Sequence, residues 1–161
     1  EAQLDRFLLH HTVNYPDSSA EKDILRLNRA ESVDEPNAPA KKISAESIFT
    51  ARKEIMAIHM NENVEEYLIQ LVLASRNPGN YSNDLKEWID FGASPRATIA
   101  LDRCARSLAW LEDVDYVSPD HIQAVASDVL RHRLILSFEA EANGVSTDQV
   151  ISELLSLVPI G

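Results

Sequence analysis

The sequence predicts an all-α protein, a helical bundle preceded by one β-strand. Apolar residues recur at the helical period of 3.6 from about residue 44 to the end of the chain. Two serine–proline pairs, Ser94-Pro95 and Ser118-Pro119, are typical of helix starts. Residues 7–15 form a short apolar stretch that favours a strand. The chain has 161 residues, 45% of them hydrophobic and 25% charged, which is typical of a globular protein.

The N-terminal part is predicted as a strand, a helix and a loop. The strand of residues 7–15 ends at Pro16. Because a lone strand cannot satisfy its own backbone hydrogen bonds, its sheet partners are expected elsewhere in a longer chain. Asp17 or Ser18 can cap the helix that follows, and residues 31–42, rich in proline and charge, are predicted as a loop. The inward positions of this helix would be Ala20, Ile24 and Leu27.

The remainder is predicted to be helical apart from a turn at residues 77–80 and a short extended piece at residues 134–136. Helix starts are predicted at Asn61 or Asn63, at Ser94, at Ser118, and at Ser146 or Thr147. The apolar core positions assigned to these helices and to the stripe before them are Ile48, Ala51, Ile55, Ile58, Val64, Tyr67, Leu68, Leu71, Val72, Ala97, Leu101, Cys104, Ala105, Leu108, Ile122, Val125, Ala126, Val129, Val150, Ile151, Leu154 and Leu155.

Charge and composition argue against several classes of function. The chain carries 15 basic and 26 acidic side chains, and a net charge of −11 would repel duplex nucleic acid and anionic membranes. The only cysteine, Cys104, cannot form an internal disulfide, which favours a reducing, cytoplasmic location. The phosphate loop GxxxxGK followed by Ser or Thr does not occur in this sequence.

Neither a metal site nor covalent catalysis is predicted. No two of the five histidines are four residues apart, as a helical zinc pair requires, so all five are expected to be structural or solvated. Cys104 falls on the apolar face of its helix, and a buried thiol is expected there rather than a nucleophile.

Arginines are the remaining candidates for chemistry. Arg6 directly precedes the predicted strand. Arg96 is the second residue of the helix that follows Ser94, where backbone N–H groups and the helix dipole favour an anion. Arg103 lies within about 20° of Arg96 around an ideal helix, and Arg106 lies close to that face.

The simpler interpretation of the last two arginines is structural. Arg103 and Arg106 can pair with Asp102, Glu112 or Asp113 on a solvated helix face. Their role stays open at this point, as does that of residues 131–133, Arg-His-Arg.

Four stretches of the sequence together resemble the MoxR-type AAA+ ATPases. Residues 1–7, EAQLDRF, resemble the end of that family's nucleotide-binding core, and residues 92–97, GASPRA, resemble its sensor 2 motif. YVSPD at residues 116–120 and LRHRL at residues 130–134 resemble its C-terminal region, in the right order. The resemblance covers essentially the whole chain. It implies the terminal strand and arginine-finger segment of the core at residues 1–16, and a helical bundle of the AAA+ lid type at residues 17–161.

The resemblance also implies two site residues. Arg6 matches the arginine finger, a catalytic residue that reaches the γ-phosphate bound by a neighbouring subunit. Arg96 matches the sensor 2 arginine, which contacts the β- and γ-phosphates of ATP or ADP. An extra helical insertion, here about residues 44–76, can displace the lid in this clade. Whether Arg96 would act on its own subunit's nucleotide or on a neighbour's therefore stays open.

The implied parent is a longer, cytoplasmic ATPase that uses ATP with Mg²⁺, forms a homohexameric ring and remodels client proteins. The Walker A and Walker B motifs would precede this chain, so the chain alone is expected to be inactive and to hold no nucleotide. The alternative is a free-standing acidic helical adaptor. A helical DNA-binding module is set aside, because the helix after Ser118 has no arginine before Arg131.

Overall fold

The computed structural model describes residues 3–33 and 41–160, and within these ranges the regular structure is almost entirely helical. The mostly helical fold predicted from the sequence is therefore confirmed. The α-helices are α1 (Ser18–Glu31), α2 (Ala45–Ala57), α3 (Glu62–Arg76), α4 (Asn83–Trp88), α5 (Pro95–Leu111), α6 (Pro119–Leu130), α7 (Phe138–Ala142) and α8 (Thr147–Leu157). The short strands are β1 (His59–Met60), β2 (Ile89–Phe91), β3 (Tyr116–Val117) and β4 (Ile135–Leu136), and 3₁₀ turns lie at Leu4–Arg6 and Pro78–Asn80.

The described chain divides into two compact units. The larger comprises residues 3–11 and 51–160, and the smaller comprises residues 12–33 and 41–50. The boundary predicted after residue 16 belongs to the longer protein and stays a prediction. Most of the loop predicted at residues 31–42, and the first two residues of the EAQLDRF stretch at residues 1–7, lie outside the described residues.

The smaller unit contains α1 and the start of α2. Helix α1 begins as predicted, because the Asp17 carboxylate accepts hydrogen bonds from the N–H groups of Ser19 and Ala20, at 3.0 and 2.8 Å. No side chain of α1 is buried, and Ile24 and Leu27, predicted to face inward, are more than half exposed.

The structure has no strand at residues 7–15, where the sequence predicts one with its sheet partners in a longer chain. Within this chain, backbone groups of Phe7, Leu8 and His10 bond to side chains and one carbonyl from the end of α6 and the turn after it. The His10 N–H donates to the Asp128 carbonyl at 2.7 Å, and Arg131 donates to the His10 carbonyl at 2.7 Å. The apolar composition favours extended backbone, but guanidinium groups can satisfy carbonyls as well as a neighbouring strand can.

The core of the larger unit lies among α3, α5, α6 and α8. Parallel pairing of β1 with β3 and antiparallel pairing of β2 with β4 join the connecting segments. Cys104 is buried as predicted, and burial raises the pKa of its thiol, with Arg133 opposing that change. Fully buried side chains at the centre include Tyr67, Leu71, Leu101, Ile122, Ile151 and Leu154.

The predicted starts of α5, α6 and α8 are confirmed, each with a serine in the capping position. At the start of α6 the capping box uses His121, whose Nδ1 accepts a hydrogen bond from the Ser118 N–H at 2.8 Å. The other ring nitrogen of His121 lies 3.0 Å from Glu112 Oε2, so this histidine is structural.

None of the helices in the described ranges is both long and apolar enough to cross a membrane.

Candidate functional site

The start of α5 is fastened to the end of α3. The Ala93 N–H donates to Ser75 Oγ at 3.0 Å, and the Ala93 carbonyl accepts from Arg76 Nε at 2.7 Å. The backbones approach so closely that a Cβ on Gly92 would lie 2.3 Å from the Ser75 carbonyl oxygen. The run of residues 92–96 therefore has a fixed position in the larger unit, and Arg96 projects from a rigid helix start.

Asp5 links the N-terminal turn to that helix start. The Ser94 hydroxyl donates to both carboxylate oxygens of Asp5, at 3.0 and 2.9 Å, while Ser94 Oγ accepts from the Arg96 N–H at 3.2 Å. Arg96 Nη1 lies 3.6 Å from Asp5 Oδ2, an ion pair without a direct hydrogen bond. The side chain of Arg96 remains 53% exposed, so most of its donors face solvent.

Arg133 holds Asp5 from the opposite side. Its side chain is only 2% exposed, and its Nε donates to Asp5 Oδ1 at 3.2 Å. Burial lowers the pKa of Arg133, and the Asp5 carboxylate opposes that change. The same guanidinium donates to the carbonyls of Val129, Phe7 and Leu8. Arg133 therefore anchors residues 5–8 to the end of α6.

Arg131 anchors the next residues. It donates to Asp128 Oδ1 at 2.9 Å and to Asp148 Oδ1 at 3.0 Å, in addition to the His10 carbonyl. The hydrogen bond to Asp148 raises the pKa of Arg131. Burial raises the pKa of Asp128, but hydrogen bonds from His11 and Arg131 outweigh it and leave that pKa lowered. The role of residues 131–133, left open by the sequence, is thus to hold the N-terminal segment.

An open cleft beside this anchor contains both predicted site residues. We call it the arginine cleft, and its volume is about 280 Å³. Arg6, at the end of the Leu4–Arg6 turn, is exposed on one wall, and Arg96 and Arg103 lie on the α5 wall. The remaining lining residues are Asp5, Phe7, Leu8, Ile99, Ala100 and Arg133.

The two arginines farther along α5 behave differently. Arg106 Nε donates to Asp102 Oδ1 at 2.8 Å, as the structural interpretation expects, and Arg106 also donates to the Ile58 carbonyl. Arg103 is exposed and forms no ion pair with any residue in 3–33 or 41–160, so the same interpretation is wrong for Arg103.

The arginine cleft can attract an anion. Four guanidinium groups line it against one carboxylate, in a chain whose net charge is −11. Planar guanidinium forks match the oxygens of phosphate and carboxylate groups. In the described part of the chain, no group of three or more His, Cys, Asp or Glu side chains is arranged to hold a metal ion.

Comparisons with known proteins agree with this architecture. Residues 83–154 match the family of AAA lid domains. The chain is 38% identical over 163 aligned residues to the chaperone MoxR1 of Mycobacterium tuberculosis, covering 99% of this chain and 42% of that protein. It is 32% identical to the uncharacterized protein YeaC of Bacillus subtilis, covering 99% of this chain and 47% of that protein.

Two further proteins extend the comparison. The protein MoxR of Methylorubrum extorquens is 33% identical over 144 residues, covering 84% of this chain and 42% of that protein. The crystal structure of a proposed ATPase from Cytophaga hutchinsonii superposes with a TM-score of 0.92 at 38% identity, covering 99% of this chain and 48% of that chain. The chain thus spans less than half the length of each of these relatives.

Proposed function

We propose that this chain is the lid portion of a MoxR-type AAA+ ATPase, since residues 83–154 match the AAA lid domains and 99% of the chain is similar to the chaperone MoxR1. In that enzyme, a ring that remodels client proteins, the chain would contribute two arginines that contact phosphate. Arg6 is the arginine finger and Arg96 the sensor 2 residue of that enzyme. The observation that carries the proposal is that both residues line the same open cleft.

The chemistry of phosphoryl transfer suits these side chains. ATP, with Mg²⁺, is the substrate of the longer protein, and in the transition state negative charge is spread over the oxygens of the transferred phosphoryl group. Arg6 would stabilise that charge, because a guanidinium is permanently charged and donates two parallel hydrogen bonds. Arg96 would contact the same phosphate chain from the start of α5, where Ser94 and Pro95 already fix the helix.

The sequence leaves open whether Arg96 acts on its own subunit's nucleotide or on a neighbour's, and the shared cleft favours the neighbour's. If Arg6 and Arg96 contact one phosphate chain, both belong to the same side of a subunit interface. Since an arginine finger acts on the nucleotide of the neighbouring subunit, Arg96 would then act on the neighbour's nucleotide as well. Similarity over 99% of the chain to these relatives favours this lid function over a free-standing acidic adaptor.

The first experiment measures ATP turnover by the longer protein that contains this chain. Arg6→Ala should abolish most turnover while nucleotide still binds. Arg96→Ala should reduce turnover about ten- to a hundredfold, since a charge-assisted contact contributes roughly 1.5–3 kcal/mol, and Arg96→Lys should restore only part of it. Arg26→Ala is the matched control, because among the described residues Arg26 pairs only with Asp23, on the surface of α1. Normal turnover of Arg6→Ala would refute the finger assignment.

Mixing subunits tests which interface each arginine serves. Arg6→Ala subunits mixed with subunits lacking the Walker A lysine should regain turnover, because one kind of interface then combines an intact nucleotide site with an intact Arg6. Arg6→Ala subunits mixed with Arg96→Ala subunits should regain none, because neither kind of subunit then provides both arginines to its neighbour. Recovery in that second mixture would place Arg96 on its own subunit's nucleotide.

A further inference from the structure

Arg103 is an exposed arginine on α5. It forms no ion pair within residues 3–33 and 41–160, and the nearby carboxylates are already engaged. Asp102 accepts from Arg106 at 2.8 Å, and Glu112 lies 3.0 Å from the His121 ring. The guanidinium of Arg103 is therefore available to a ligand.

The position of Arg103 places it in line with Arg96. The two residues are seven positions apart on α5, which corresponds to two helical turns or about 10 Å along the axis on nearly the same face. Ile99 and Ala100 lie between them, and all four residues line the arginine cleft. The α5 wall of the cleft thus carries a cation at each end.

The arginines that line the cleft outnumber the carboxylates that line it. Asp5 is the one carboxylate that lines it, and Asp5 is already bonded to the buried Arg133 and to Ser94. Arg6, Arg96 and Arg103 then repel one another across a volume of about 280 Å³. That volume lies near the lower limit for small-molecule clefts, so the matching ligand is a compact polyanion.

We propose that Arg103 is a third arginine of this cleft and binds the phosphate chain of the nucleotide together with Arg6 and Arg96. The identity of the ligand rests on the proposed function, whereas the anion site itself rests on the cleft. Arg103 contacts phosphate oxygens from a position two turns along α5, and Arg96 contacts them from the helix start.

The test titrates inorganic tripolyphosphate into the 161-residue chain at constant ionic strength, with binding followed by amide chemical shifts. The unaltered chain should bind weakly, in the millimolar range, with shifts centred on residues 94–103. Arg103→Ala should weaken binding about tenfold or more, and Arg103→Lys should lie between, because lysine keeps the charge without the planar fork. Arg26→Ala removes the same charge from α1 and should bind as the unaltered chain does.

Any of the following three results would contradict the proposal. Absence of shifts in the unaltered chain refutes the anion site. Equal weakening by Arg26→Ala and Arg103→Ala indicates general charge attraction instead of a site. If Arg103→Ala alters self-association but not tripolyphosphate binding, the arginine serves a protein interface.

A different measurement tests the proposed function, so it can be refuted independently of the anion site. Normal ATP turnover by Arg6→Ala and Arg96→Ala in the longer protein would refute it, even where Arg103→Ala weakens tripolyphosphate binding and the anion site stands. Conversely, those two variants could lose turnover while Arg103→Ala binds tripolyphosphate normally. That result would refute only the role of Arg103 in phosphate binding.

Discussion

At the scale of single residues, Asp5 determines how the N-terminal turn is held. Its carboxylate is 22% exposed and accepts hydrogen bonds from Ser94 and from the almost fully buried Arg133. Arg133 needs this partner, because a buried charge without a counter-charge is strongly destabilising. The same carboxylate keeps Arg6, its neighbour in sequence, beside Arg96.

Removing that carboxylate should be costly. We expect Asp5→Ala to lower the free energy of unfolding by about 2 kcal/mol, less than for a fully unpaired buried charge, because Arg133 keeps its backbone acceptors. Urea denaturation measures the change. Asp23→Ala, which removes an exposed partner of Arg26, should change the free energy by about 0.5 kcal/mol or less. Equal effects of the two variants would contradict the role of Asp5.

His132 should make stability depend on pH. Burial lowers its pKa, and Arg133 and His10 lower it further, while the Phe7 carbonyl and Asp5 oppose this. The fold therefore disfavours the protonated ring. The stability that His132 contributes is complete above the ordinary pKa of about 6.5 and is lost as the pH falls through the lowered value.

The comparison of two variants measures this dependence. Between about pH 7 and pH 5, the unaltered chain should lose more unfolding free energy than His132→Gln, whose side chain does not titrate. Parallel curves for the two proteins over this range would show that His132 does not contribute.

At the scale of elements, the contact between the end of α3 and the segment before α5 positions the candidate site. A Cβ at residue 92 would meet Ser75 backbone atoms at 2.3 and 2.5 Å, and neither helix can move without disturbing buried neighbours. Glycine is needed here for close approach, and the adjoining Ala93 and Ser75 hydrogen bond holds the approach in place.

Gly92→Ala should therefore destabilise the larger unit. We expect a loss of about 1–3 kcal/mol in unfolding free energy, typical of overpacking against a rigid neighbour. Gly79→Ala is the matched control, because the atoms nearest to its added Cβ belong to the flexible Lys86 side chain, the closest at 3.1 Å. Urea denaturation measures both variants. A similar loss of unfolding free energy for the two would show that replacing glycine itself matters more than the close approach to the Ser75 backbone.

At the scale of the whole molecule, the two compact units differ in how much they bury. Helix α1 has 14 residues and no buried side chain, whereas α5 buries six residues. A helix of this length is marginal without tertiary packing. Hydrogen exchange should be fast at residues 18–31 and slow in α5 and α6. Comparable protection of α1 and α5 in the 161-residue chain would contradict this expectation.

The sequence by itself determined the helical fold and most helix starts, because capping and helical periodicity are local. Ser94, Ser118 and Ser146 each begin a helix through contacts within three residues, so short-range pattern was sufficient to find them. The resemblance of residues 92–97 and of Leu-Asp-Arg-Phe to known motifs selected Arg6 and Arg96, which the structure brings to one cleft.

Only the tertiary structure decided which partner each charged group takes. Arg106 and Arg103 have similar sequence surroundings, yet one is tied to Asp102 and the Ile58 carbonyl and the other faces the arginine cleft. The bonds from Arg133 to residues 5–8 join groups more than 120 positions apart, and they hold the start of the segment for which the sequence predicts a strand. Such pairings depend on how the helices pack. The sequence pattern does not show which of the many possible acceptors each guanidinium takes.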